Sequence, residues 1–304
     1  MDFGYTPHFA KQCYQLPVEP AKNAGVLAKN TSKKTPHIYI GCPVWANKSW
    51  VGVWYSQDCS SQHYLREYGQ LFNCVEVNST HYALPSETTL RNWGEQVGES
   101  FRFFPKLPQA ISHDAFFNAN CHDLIQQFCS HIITFDHKLG CCLLQLPARA
   151  DIRYLPHLER FLDQFPDFIP LAVELRHPSW FAEPAFDVLS ALLQQRQVGL
   201  VITDTAGARD ILHMRLTTPT IFIRFVGNNL HETDYQRLDE WAYRLSDWCE
   251  QGIESIYFFL HVHTKQTPHP ADLAAYFLQK FQQQSGINVQ QIKRIKVPEQ
   301  KPLF

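Results

Sequence analysis

The sequence has no two cysteines at C-x-x-C spacing, no G-x-G-x-x-G and no G-x-x-x-x-G-K-[ST]. The first absence removes zinc-ribbon and thioredoxin-like readings. The other two remove the loops that seat a dinucleotide or nucleoside triphosphate on a helix N-terminus. Charge excess is also lacking: 27 Lys and Arg stand against 29 Asp and Glu, a formal charge of −2 over 304 residues. Broad nucleic-acid affinity needs a basic footprint and is not favoured, although a local basic cleft is compatible with this composition. No apolar run is long enough to span a bilayer and no leader is visible. The nine cysteines, an odd number, are therefore expected to be reduced thiols of a cytoplasmic protein with no membrane partner.

What the chain does have is apolar bulk. Hydrophobic residues make up 45% and aromatics 13%, enough for two ordinary domains or for one α/β barrel. From His37 onward a rhythm sets in, with β-type runs at 38–41, 74–77, 101–105, 141–146, 171–175, 198–203, 220–226 and 255–260. Helical periodicity fills most of the gaps. Leu238, Trp241, Ala242, Leu245, Trp248 and Cys249 give the clearest stripe, and 64–72, 121–132, 155–165 and 273–281 give others. Alternating strands and helices imply a parallel sheet, because a parallel pair needs a crossover. The expected fold is α/β, a single closed (β/α)8 TIM-type barrel over 37–285, with a tail at 286–304. The sixth unit is the weakest, since only 208–216 has helical character. Residues 1–36 carry Pro7, Pro17, Pro20 and Pro36 and a polar run, and read as an N-terminal extension, partly disordered. The aromatics Phe3, Tyr5, Phe9 and Tyr14 support the alternative, a packed lid over the barrel bottom.

In a barrel, chemistry belongs at the carboxyl ends of the strands. The stretch VELRHPSW (173–180) puts Glu174 and Arg176 on one strand face, where burial is tolerated only if they are paired or used. Pro178 stops that strand, and Ser179 is expected to cap a helix beginning at Trp180. The other ends repeat the pattern: Gly41, Cys42 and Trp45; Glu76 and Asn78; Lys106; Gln145; Asp204; Arg224; His261 with His263. Polar groups recurring at the same end of apolar runs argue for a ligand site. The blander alternative is a structural network in which Glu76 pairs with Arg224, or Glu174 with Arg176.

VEVNSTHY (75–82) and VELRHPSW together resemble the signatures of the YecE-like family, domain of unknown function 72. IGCPVW (40–45), WVGVWY (50–55), FRFFPKLPQAISHD (101–114), LGCCLLQLP (139–147), Asp204, and IRFVG (223–227) followed by Tyr235 extend the likeness over about 38–280. Strand eight departs: FFLHVH (258–263) supplies histidines where the family often carries an asparagine-containing end. The resemblance implies a (β/α)8-type barrel and supplies no reaction.

The residues favour an enzyme for a small anionic or phosphorylated, sugar-like substrate. Lys106, Arg176 and Arg224 would hold the negative group, Asn78, Gln145 and His177 would orient the ligand, and Trp45 would wall it. Glu76, Glu174 and Asp204 are the candidates for general acid and base, on the expectation that crowding drives their pKa values apart. No cofactor is expected, with one variant in which Glu174, Asp204 and His261 grip a divalent metal for phosphodiester hydrolysis or isomerisation. The alternative class is a non-catalytic binder of a phosphate-bearing metabolite or nucleic acid. Oligomeric state is left open.

Overall fold

The structure, a computed structural model, describes residues 4, 6, 14–28, 35–118, 121–262 and 270–295. His263 and His269, and the aromatics Phe3, Tyr5 and Phe9, lie outside the described residues. All eight expected runs form strands. They are β1 (His37–Cys42), β2 (Cys74–Val77), β3 (Arg102–Pro105), β4 (Cys142–Gln145), β5 (Leu171–Glu174), β6 (Gly199–Leu200), β7 (Ile202–Thr205), β8 (Thr220–Gly227) and β9 (Ser255–Val262). The count reaches nine because the sixth run breaks at Val201.

Every pairing is parallel. One sheet has six strands in the order β3-β2-β1-β9-β8-β7, and a second has three in the order β4-β5-β6. Backbone contacts tie the two sheets at both edges. At one edge Gly140 N–H donates to the Phe103 carbonyl at 2.8 Å and Leu107 N–H to that of Leu143 at 2.9 Å. At the other, Val201 N–H donates to the Val173 carbonyl at 2.9 Å. That one residue keeps the smaller sheet's pairing while β7 has already joined the larger.

The periodic segments become helices at Tyr64–Leu71, His122–Ile132, Leu155–Gln164, Glu232–Gln251 and Pro270–Ser285, and further helices form at Glu87–Glu95 and Ala185–Gln195. Helix-facing residues of β4 and β5 (Cys142, Leu144, Leu171, Val173) pack with Ile125, Phe128, Leu158 and Leu189. Those of the larger sheet pack with Leu65, Leu238, Trp241 and Phe277. The opposite faces pack on one another: Tyr39, Cys74, Phe104, Leu143, Ala172, Val201, Phe222 and Phe259 form one cluster. Strand alternation thus divides each run between two cores.

The sixth unit has only one 3-10 turn, Arg209–Ile211, where a helix would lie. Buried, extended backbone follows it, and the N-terminal segment covers that backbone. Asn23 donates from Nδ2 to the Met214 carbonyl at 2.6 Å and accepts from Leu216 N–H at 2.9 Å. Arg244 binds Glu19 and the Pro17 carbonyl, and Val26 and Leu27 are buried in the core. The described part of the expected extension is therefore packed against the sixth and seventh units. At the other end, Ile292 is buried and Ile295 N–H donates to the Val53 carbonyl at 2.8 Å.

Gly41 of β1 lies opposite Cys74 of β2, and a Cβ built there would stand 2.3 Å from the Cys74 carbonyl oxygen. Backbone cannot give way as a side chain can, so Gly41→Ala should cost at least about 2 kcal/mol in urea unfolding. Gly94, near the end of the helix Glu87–Glu95, has nothing within 4 Å of such a Cβ. Gly94→Ala should instead raise stability, by up to about 1 kcal/mol.

Candidate functional site

Directly beyond the strand-to-strand apolar cluster lies a polar layer, to which seven strands or strand ends contribute. Arg224 (β8) is its centre. Its Nε and Nη2 donate to the two carboxylate oxygens of Glu76 (β2), each at 2.9 Å, and its Nη1 donates to Glu174 Oε2 (β5) at 2.6 Å. Glu174 Oε1 accepts from Arg176 Nε at 2.9 Å and from Thr203 Oγ1 (β7) at 3.1 Å. Gln145 (β4) donates to Glu174 Oε2 and accepts from Lys106 Nζ at 2.6 Å. His261 (β9) meets Glu76 Oε2 at 3.1 Å. The same alternation that places Phe104, Leu143, Ala172, Phe222 and Phe259 in the apolar cluster places Lys106, Gln145, Glu174, Arg224 and His261 two residues further on.

Glu76 and Glu174 are fully buried, and Lys106 and Arg224 are 3% and 5% exposed. Burial pushes the Glu174 carboxyl upward, but Arg176 and Arg224, then Gln145 and Lys106, outweigh it and hold the pKa at about 2. Burial likewise opposes ionisation of Glu76, and Arg224 overcomes it, leaving the carboxyl well below its ordinary value. The expectation that crowding drives these two pKa values apart is not met, because the arginines keep both carboxylates ionised. Burial, then Arg224, brings the Lys106 ammonium down to about 8 against the pull of Glu174 and Glu76. Burial also lowers His261, against the pull of Glu76, and Arg224 is the first counter-charge of that carboxylate. Among the described residues, and with Lys106 protonated, three cations (Lys106, Arg176, Arg224) face two carboxylates (Glu76, Glu174), a net +1 in a buried layer.

The other sequence candidates lie elsewhere. Thr203 faces the polar layer, so its neighbour Asp204 faces the helix side of β7. There Asp204 is fully buried, accepts from Arg237 at 2.9 Å and Trp241 Nε1 at 2.7 Å, and pairs with Arg209. Arg237 also donates to Asp234 at 2.7 Å and stacks on Phe225 at 4.3 Å. Glu174, Asp204 and His261 are thus not brought together. Among the described residues no group of three or more His, Cys, Asp or Glu is placed to hold a metal ion.

Asn78 reaches the Pro43 carbonyl at 3.5 Å, tying the ends of β1 and β2. His177, not Ser179, caps the turn Pro178–Phe181, accepting from Ser179 N–H, while Ser179 Oγ accepts from Ile152 N–H. Trp45 sits edge-on to Trp93 at 5.0 Å, beside a groove of about 290 Å³ that also contains Gln62 and Asn92. A second cavity of about 270 Å³ opens at the amino ends of the strands, by Tyr257, Phe222 and Ala172. Neither is lined by the polar layer, whose most exposed side chains are Arg176 at 10% and His261 at 12%.

Several neighbours escape sequence reasoning. His81 bonds the Leu107 carbonyl through Nδ1 at 2.8 Å and packs edge-on to His113, 5.2 Å away. Both histidines stand in the motifs quoted above, so position in a motif was the available signal. Arg237 carried none, since helical periodicity is carried by apolar residues alone.

Removing one partner of a buried pair leaves the other uncompensated, so Glu174→Gln, which strands Arg176 and part of Arg224, should destabilise the fold by about 3–5 kcal/mol. A carboxyl depressed to about 2 stabilises the fold at pH values above its unfolded pKa and ceases to do so as pH falls through 2. Urea midpoints measured from pH 6 downward should therefore drop less steeply in Glu174→Gln than in the natural sequence.

A family profile described as "Protein of unknown function DUF72" matches residues 39–299. UPF0759 protein YecE of Escherichia coli K12 is 34% identical over 243 residues, covering 74% of this chain and 86% of that one. UPF0759 protein YunF of Bacillus subtilis is 27% identical over 158 residues, covering 49% and 54%. Crystal structures of DUF72 family proteins share the fold. That from Enterococcus faecalis V583 covers 86% of this chain and 99% of its own at TM-score 0.63 and 19% identity. That from Thermotoga maritima MSB8 covers 81% and 98% at TM-score 0.63 and 22% identity. No described helix is long and apolar enough to cross a membrane. With more than half its length inside the profile and 34% identity to YecE over 74% of its length, the chain belongs to the DUF72 family.

Proposed function

We propose that the two sheets are arcs of one closed (β/α)8 barrel and that the polar layer at its carboxyl end is the site of an enzyme for a small anionic substrate. Closure is supported by the backbone bonds at both sheet edges and by the apolar cluster to which all the sheet's arcs contribute. The observation that carries the functional reading is Lys106. It is a buried ammonium whose charge is left over after Arg224 and Arg176 have taken both carboxylates. Its nitrogen has three donors, and among the described residues one is filled, by Gln145. A net positive, water-poor layer with free N–H groups favours an anion, which would enter past Arg176 and His261.

In this reading Glu76 and Glu174 position the arginines. Proton transfer falls to groups outside those ion pairs, Lys106 foremost, with the imidazole of His81, lowered by burial and by Lys106, beside it. Plain binding without turnover uses the same cations, and the two differ only in whether a bound compound is converted.

Sulfate tests the site, because its charge is constant between pH 6 and 10. It should raise the melting temperature and bind in calorimetry. Its affinity should be level below pH 8 and fall by up to about tenfold per pH unit above it, as Lys106 loses its proton. Lys106→Met should remove both the binding and its pH dependence. Tight sulfate binding that ignores pH and survives this substitution would place the anion elsewhere.

A further inference from the structure

Two buried lysines in this fold are held in opposite ways. Lys138, 8% exposed, has its nitrogen 2.9 Å from the Gly94 carbonyl, 3.0 Å from that of Val97 and 3.1 Å from Glu99. Its donors are used, and it joins a loop to a helix end. Lys106 is buried more deeply, yet Gln145 Oε1 is its one described partner, and no described carboxylate lies within ion-pair distance of its nitrogen. The carboxylates that would anchor an ammonium are committed to Arg224 and Arg176. A desolvated lysine beside other cations is the arrangement that frees an amine for nucleophilic work.

We infer that Lys106 captures carbonyl compounds: its amine condenses with the aldehyde or ketone of a small substrate that bears a carboxylate or phosphate near the carbonyl. This rests on the polar layer being an anion site, with Arg176 and Arg224 receiving the negative group. The nitrogen lone pair of the free amine attacks the carbonyl carbon, the C–N bond forms as the C=O π bond opens, and one N–H proton passes to the oxygen to give a neutral carbinolamine. A second proton lets that oxygen leave as water while the C=N bond forms. The nitrogen keeps one proton, so the product is an iminium ion. No oxidant or further reactant is needed.

His81 is built to carry the proton. The Leu107 carbonyl can only accept, so the Nδ1 that meets it bears the hydrogen and Nε2 is left with a lone pair. Lys106 is close enough to depress this imidazole further after burial has done so, and His113 packs against its ring. With its pKa near 8, Lys106 at pH 7 presents over a hundredfold more free amine than an ordinary lysine.

The test is reductive trapping of the full chain at pH 7 with sodium cyanoborohydride and, in separate arms, pyruvate, dihydroxyacetone phosphate and acetone. Intact mass and peptide mapping are the readouts. The expected result is one adduct per chain, the mass of the anionic compound less one oxygen atom, on Lys106 at least about tenfold above Lys138 and above the acetone arm. Sulfate should protect against it. The pyruvate and phosphate arms tell which anionic group is preferred. Lys106→Arg keeps the charge and should bind sulfate while losing the adduct. Adducts scattered over exposed lysines, or none at all, in a protein that still binds sulfate would overturn carbonyl capture and leave the anion site standing. Absence of both would overturn the two together. Should Lys106→Arg fail to fold, peptide mapping of the natural sequence with and without sulfate decides alone.

Discussion

Arg224 is the interaction on which the interior depends. Its guanidinium holds Glu76, 148 residues away, by two bonds and Glu174, 50 residues away, by a third. Glu76 and Arg224 belong to the six-stranded sheet and Glu174 to the three-stranded one. One planar fork therefore spans the gap between sheets, which a lysine's point charge would not do. The cost of taking these charges out of water is offset because each carboxylate oxygen has at least one donor. Three arcs of backbone are fixed to within a hydrogen-bond length where the strands end.

The strand β7 stands between two charge networks. Thr203 serves the polar layer, and Asp204 serves Arg237, Arg209, Trp241 and, through Arg237, Asp234. The second network balances internally, with two carboxylates and two guanidiniums, and it clamps the helix Glu232–Gln251 to the sheet. Among the described residues the first does not balance, and Lys106 is its cation without a carboxylate. Two networks one residue apart thus divide labour, one closed on itself and one left with charge to offer.

Much of this was legible in the sequence. The apolar runs located every strand, because a buried parallel strand is continuous in its hydrophobicity, and amphipathic stripes located the longer helices. Charge at the strand ends announced a polar layer and named Glu76, Lys106, Gln145, Glu174, Arg176, Arg224 and His261 within it. What could not be read was partnership and parity. Around Asp204 both strand faces are buried, so no alternation of polar and apolar residues reveals that Thr203 looks one way and Asp204 the other. Nor does composition disclose that arginines pair with both glutamates and leave Lys106 outside the ion pairs. His81 was hidden for a different reason: its placement is fixed by a backbone carbonyl 26 residues away.

The N-terminal segment has a consequence for how the chain assembles. Besides its local bond to Glu19, Asn23 bonds residues 191 and 193 positions later, and Glu19 is held by Arg244, 225 positions later. β1 likewise finds β9 only after most of the chain exists. Residues made first are therefore among the last to be seated, and contacts of such sequence separation slow folding. Until then the backbone following β7 has no helix of its own to shelter it. In the folded chain Asn23 and its neighbours supply the cover that a sixth helix would otherwise give.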